Sequence, residues 1–200
     1  MTLVNSIDKI VSWLTENVCS KITLKLPDDY RNDTGYDVVM VNPAAFPLYV
    51  PGKDRLPPNV AAPIPSVCVQ LMEGSDELIQ KKRQLQIRLC LACWNPGQHG
   101  GEIFNPRENA KATGGYSYYV NTGEAAKTYS RNMDGWRDCY NLADLVLREI
   151  ETAEYIAGHR LVKEQGIKFG PFTEDGNSRK NWIRWILVKA RVHPATQNII

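Results

Sequence analysis

Residues 134–155, DGWRDCYNLADLVLREIETAEY, form the longest stretch of clean helical periodicity in the chain. Trp136, Tyr140, Ala143, Leu147 and Ile150 recur at three- and four-residue steps, and Val146 and Ala153 widen the same face. Asp134 stands where an N-cap is wanted, ahead of Gly135 and the first apolar residue, and Gly158 follows closely enough to end the helix. The other face carries Asp138, Asp144, Glu151 and Glu154, so it meets solvent or a partner. Strand-like runs flank the segment on both sides. The reading is one long helix laid across a sheet.

Before the helix, SVCVQLME (66–73) reads as a strand with Val67, Val69 and Leu71 on one face. A charged turn over 74–82 leads into a longer strand, 83–94, in which Leu85, Ile87, Leu89, Leu91 and Cys93 face one way and Gln84, Gln86 and Arg88 the other. The two pair as an antiparallel hairpin. After the helix, 160–163 and 166–172 read as short strands, the second at an edge because of Pro171. The last strand is NWIRWILVKARV, 181–192. Trp182, Arg184, Ile186, Val188, Ala190 and Val192 lie on one side, and Ile183, Trp185 and Leu187 make its first half look covered on both.

At the N-terminus, residues 4–18 form an amphipathic helix through Val4, Ile7, Ile10, Val11, Leu14 and Val18, capped by Asn5 or Ser6. Strand-like pieces at 21–26 and 36–41 follow. Residues 42–65 hold seven prolines, too many missing N–H groups for a central strand or a helix. They read as an extended arm or a packed surface connection. Residues 95–133 show no period; their aromatic spot, GGYSYYV, alternates Tyr116, Tyr118 and Val120 in one arm of a small hairpin closed at 121–123. A loop this long in a compact domain is usually functional or disordered. The fold class is therefore α+β. A single domain, 1–200, carries a twisted mixed or antiparallel sheet, an N-terminal helix and the long helix packed on it, a proline-rich arm and a long inserted loop.

Composition narrows the function classes. The chain has 24 Lys+Arg against 22 Asp+Glu, a net charge of +2, which does not by itself call for nucleic acid or an anionic membrane as partner. No run approaches the roughly 18 apolar residues of a membrane span, and no secretion signal is expected from the N-terminus. Five cysteines (19, 68, 90, 93 and 139) are an odd number and read as reduced thiols. Cys90 and Cys93 make a CxxC inside a strand, where residues three apart point to opposite faces; they cannot chelate one metal, and small buried hydrophobes are the simpler reading.

The residues offer little catalytic chemistry. His99, His159 and His193 are not at ligand spacing from one another or from a cysteine, and no nucleophile-elbow, zinc-protease or phosphate-loop motif occurs. Glu73 with Lys81 or Lys82 is the best imaginable nuclease centre, but it lacks the tight acid-x-Lys spacing, and a surface turn explains those charges. Trp182 and Trp185 read as packing residues. The expectation is a non-enzymatic protein without metal or cofactor.

Four blocks, taken in order, carry a resemblance: IPSVCVQLMEG (64–74), QLQIRLCLACWN (84–95), DGWRDCYNLADLVLREIETAEYIAGHRLV (134–162) and WIRWILVKARV (182–192). Together they resemble the tail terminator proteins of tailed phages and phage-tail-like particles, the tail completion or head–tail joining proteins. The resemblance spans roughly 65–94 and 134–192. It departs from the family pattern in the expanded proline-rich segment and in the insertion 95–133.

What the resemblance implies is a virion structural protein at the tail–neck junction, made in the host cytoplasm. Six copies would form a ring that caps the tail tube, ends its polymerisation and offers a joining surface to the neck or head. Implied partners are the chain itself as a homohexamer, the tail tube protein, a neck or head-completion protein, and the sheath and tape measure proteins; DNA is only passing cargo, and no membrane is involved. Interface candidates are Arg107, Lys111, Tyr116, Tyr118, Lys127 and Arg131 in the inserted loop, and Trp136, Asp144 and Glu151 on the helix, since aromatic and arginine side chains tend to anchor interfaces. The competing readings are a head-completion or neck adaptor in a twelve-fold ring and, behind it, a small metal-dependent nuclease.

Overall fold

The computed structural model describes residues 2–27, 39–77, 79, 82–95, 136–162, 166–170, 173–174 and 181–192. Helix α1 (Leu3–Asn17) is followed by a 3-10 turn (Cys19–Lys21), β1 (Leu24–Lys25), β2 (Met40–Val41) and β3 (Ala44–Pro47). Then come β4 (Ser66–Glu77), β5 (Lys82–Trp94), α2 (Trp136–Thr152), β6 (Tyr155–Ile156), β7 (His159–Leu161), β8 (Lys168–Phe169), β9 (Thr173–Glu174) and β10 (Asn181–Val192). The main sheet runs β3-β4-β5-β10-β7-β6, with β8 and β9 also paired to β10; β1 and β2 form a separate pair. The β3–β4 pairing is parallel and the rest antiparallel. The architecture is α+β, as the pattern indicates.

Both helices cover one face of this sheet. Ile10, Leu14 and Val18 from the α1 end and Cys139, Leu142, Ala143, Val146 and Ile150 from α2 join Val67, Val69, Leu85, Ile87, Leu89, Leu91, Cys93, Ile186, Val188 and Ala190 in one buried cluster. The alternation read in β5 is the reason: its odd-numbered residues from Leu85 to Cys93 enter the core and its even-numbered ones face away from the helices. Lys21 ties the two helices at the surface by a 2.7 Å bond to Glu149.

Several boundaries differ from the sequence reading. Helix α1 begins a residue early because Thr2, not Asn5 or Ser6, is the cap: its hydroxyl accepts from the Asn5 N–H at 3.2 Å, while the Ser6 hydroxyl donates to the Thr2 carbonyl at 3.0 Å. Val4 is consequently 70% exposed rather than on the buried face. Residues 21–26 hold only the two-residue β1 after a 3-10 turn, and of 36–41 only Met40–Val41 is strand, with 36–38 outside the described residues.

The proline-rich segment is no free arm. Its Ala44–Pro47 run lies parallel to Ser66–Val69, with the Ala44 N–H donating to the Pro65 carbonyl, and Phe46, Ala62 and Pro65 are buried. Among the described residues only one side of this strand is paired, and such an edge position tolerates the flanking prolines. A cis peptide joins Ile64 to Pro65.

The expected turn over 74–82 is shorter, since β4 continues to Glu77. A register shift between Leu71 and Glu73 leaves Met72 as the extra residue of a bulge, after which pairing resumes, and Asp76 holds Arg83 through two 2.6 Å bonds. The long helix stops at Thr152 instead of Tyr155, and Gly158 is not its terminator. Ala157 (φ 54) and Gly158 (φ 81) instead form the turn between β6 and β7. Of the strands read at 160–163 and 166–172, the described strand residues are His159–Leu161 and Lys168–Phe169, with 163 and 171–172 outside the described residues. The cap assigned to Asp134 and the hairpin over 116–123 lie outside the described residues.

Candidate functional site

The candidate interaction residues divide by position. Arg107, Lys111, Tyr116, Tyr118, Lys127 and Arg131 lie outside the described residues, as do Lys81, His99 and His193. Trp136 opens α2. Asp144 and Glu151, two turns apart, are both exposed on the solvent side of that helix. They share this side with Arg137, Asn141 and Arg148, so the stripe is mixed in charge rather than acidic. Beside it, Arg148 lies 3.7 Å from Glu149, whose carboxyl is held below its ordinary range chiefly by the hydrogen bond from Lys21.

Asp138 departs from the expected solvent face. It is half-buried and accepts a 2.6 Å hydrogen bond from the Asn95 side-chain amide; the Asn95 carbonyl oxygen in turn accepts from Lys25 Nζ at 2.9 Å. This relay joins β1, the residue after β5 and the first turn of α2. Burial lowers the Lys25 ammonium's pKa, and the Asp138 charge acts against that shift. An acid in the first turn of α2 also suits the helix dipole. The relay holds the residue after β5 beside the first turn of α2. Sequence reasoning missed it. The only local hints were a polar residue ending a strand and an acid opening a helix.

The cysteines sort by face as the strand geometry requires. Cys93 is buried in the core against Cys139, and its thiol pKa is raised by the hydrogen bond shared with Cys139 and by burial. Cys90 lies on the other face, opposite Cys68 in register, and its thiol donates to Gln70 Oε1 at 3.4 Å. Arg88 donates to the same oxygen through Nε (2.8 Å) and Nη2 (2.6 Å). Burial pushes the Cys68 thiol to about 11 and the Cys19 thiol to about 12. Among the described residues no group of three or more His, Cys, Asp or Glu side chains is placed to hold a metal ion. No helix among them is long and apolar enough to cross a membrane. In the register of the hairpin, Glu73 faces Gln86 while Lys82 faces Glu77, so this acid and this lysine are not brought together.

A small cavity of about 20 Å³ lies between α1 and the sheet, lined by apolar side chains such as Leu14, Ile87, Leu161 and Val188, and by His159. His159 is fully buried. Its Nδ1 sits 2.9 Å from the Ile156 carbonyl and 3.1 Å from that of Ala157, which makes Nδ1–H the donor, and its Nε2 has no partner among the described residues. Burial lowers the imidazole pKa, so the ring is held neutral.

No protein-family model matches the chain, and no curated protein matches it.

Proposed function

We propose that this chain is a structural protein of a tailed phage or phage-tail-like particle, the terminator of its tail tube. Six copies form a ring that caps the tube, stops its polymerisation and presents a joining surface to the neck or head. The work is done by shape-matched docking about an axis. A heterologous interface closes into a ring only when its rotation divides a full turn, and otherwise gives a filament.

One observation carries the reading: the four blocks occur in the family's order, and each falls on one coherent unit. The first two make the β4–β5 hairpin, the third makes α2 running into β6–β7, and the fourth is β10, paired along β5. A helix-covered sheet of this kind offers rigid edges for assembly. The mixed-charge stripe with Asp144 and Glu151 gives α2 a polar outer side suited to a neighbouring ring. Tail tube, neck or head-completion, sheath and tape measure proteins are the partners, and DNA crosses the lumen as cargo.

Electron microscopy of particles assembled without this protein tests the proposal. Tube-bearing tails of uncontrolled length that fail to join heads are expected; tails of normal length joined to heads would overturn it.

A further inference from the structure

We infer that copies of this chain meet side to side across the main sheet, the acidic β4 end of one against the arginine-bearing β7–β10 end of the next. The inference rests on the ring reading above and names the surface through which the copies join.

One register row crosses the sheet from edge to edge: Tyr155, Arg160, Arg191, Gln84 and Ser75, on β6, β7, β10, β5 and β4. Gln84 belongs to the set of β5 residues that points away from the helices, so the whole row lies on the sheet face turned away from them. Charge is distributed unevenly along it. At the β4 end, Glu73 and Glu77 stand two residues either side of Ser75 on the same face, while Asp76 lies on the other face in its ion pair with Arg83. Glu77 faces Lys82 in register, but Glu73 faces the neutral Gln86.

At the other end, Arg160 and Arg191 are direct cross-strand partners, with exposed Lys168 on the same side of β10. Like charges directly opposite one another destabilise a sheet. Two exposed arginines held in this way are relieved by an anionic neighbour. Glu154, just before β6, is the acidic exception at this end.

Among the described residues the two ends are also open. β3 covers β4 only from Ser66 to Val69, and among the described residues no strand pairs with the outer side of 71–77. Met72, in the bulge, is 46% exposed, and Tyr155, at the β6 edge, is 53% exposed. A neighbour placed head to tail by rotation brings the 73–77 edge of one copy to the Tyr155–Arg160 edge of the next, with Ser75 level with Arg160 and Glu73 two residues along from that row. Apolar contact between Met72 and Tyr155 then accompanies the Glu73–Arg160 attraction. A nucleic acid would satisfy the arginines but leaves the matching acids at the far edge without a role.

The test uses the full chain and compares Glu73→Arg, Arg160→Glu and the two combined. Ring formation is measured by native mass spectrometry, free and on purified tubes. Each single change is expected to weaken association about ten-fold or more, and the combination to restore most of it. A wild-type ring that both single changes leave intact overturns the inference alone, as does loss in both without recovery in the pair. Binding of a short labelled DNA duplex that depends on Arg160 and Arg191, with the ring unaffected, assigns the arginines to nucleic acid instead. A wild-type chain that forms no ring, free or on tubes, overturns the ring reading and the inference with it.

Discussion

The Asn95 side-chain amide donates to the Asp138 carboxylate across 2.6 Å, and this bond holds the end of β5 to the start of α2. Asn95 is only 3% exposed, so removing its amide strands Asp138 and Lys25 in a partly buried site. Asn95→Ala is expected to lower unfolding free energy by about 1–3 kcal/mol, the desolvation penalty of buried polar groups left without partners. Chemical denaturation checks it; an unchanged midpoint would mean that water replaces the relay fully.

This relay also marks where the sequence stops being informative. Its members lie 70 and 43 residues apart, and no periodicity links them. By contrast, the alternation Leu85-Ile87-Leu89-Leu91-Cys93 was legible because one residue in two must enter the core, and the structure buries all five. The same logic found Ile150 and Val146 on the inner face of α2. It failed at Val4, where a cap two residues earlier leaves the first turn of α1 outside the core; at β3 composition excluded only a central strand and gave no sign of the edge strand that forms. Of the candidate interface, the helix residues Asp144 and Glu151 were correctly read as outward, while Asp138 was claimed by a tertiary contact.

Core and surface positions of α1 separate cleanly. Leu14 is fully buried beneath β5 and β10, whereas Val4 is 70% exposed. Leu14→Ala is expected to destabilise by about 2–5 kcal/mol through lost transfer energy and the cavity it leaves. Val4→Ala should stay within about 0.5 kcal/mol. Thermal or urea unfolding of the two variants, side by side, gives the comparison.

Ser66, fully buried at the start of β4, has a hydroxyl with no hydrogen-bond partner among the described residues. An unpaired buried hydroxyl is a cost that an apolar replacement removes. Ser66→Ala is therefore expected to be neutral or stabilising, by up to about 1 kcal/mol. A marked loss of stability would reveal a partner for that oxygen.

Thiol chemistry should report the fold. Cys19, Cys68 and Cys93 are buried with raised pKa values, Cys139 is buried, and Cys90, though partly exposed, is also raised, chiefly by burial. Because the thiolate is the reactive form, a disulfide reagent at neutral pH should modify the native protein slowly, Cys90 first, and all five thiols rapidly in denaturant. Fast native modification of Cys19 would contradict its burial.

His159 gives stability a pH dependence with a definite sign. Its imidazole titrates below the ordinary value of 6.5 in the folded chain because burial disfavours the charged ring, and nearby Lys9 adds to the effect. Between the lowered folded value and 6.5, the unfolded chain binds more protons than the folded one, so stability rises with pH across that window. Stability is complete above 6.5, declines as pH falls, and levels off for this group below its folded pKa. Protonation would place a charge whose Nε2 faces apolar side chains over the β6–β7 turn, loosening the packing of α1 at that point. His159→Leu should remove this part of the slope, while lowering stability at neutral pH through loss of the Nδ1 bonds to the Ile156 and Ala157 carbonyls. Denaturant midpoints of both proteins across pH 5–8 decide it: the wild-type curve must fall toward acid more steeply than the variant's, and parallel curves would show that His159 protonates freely in the folded state.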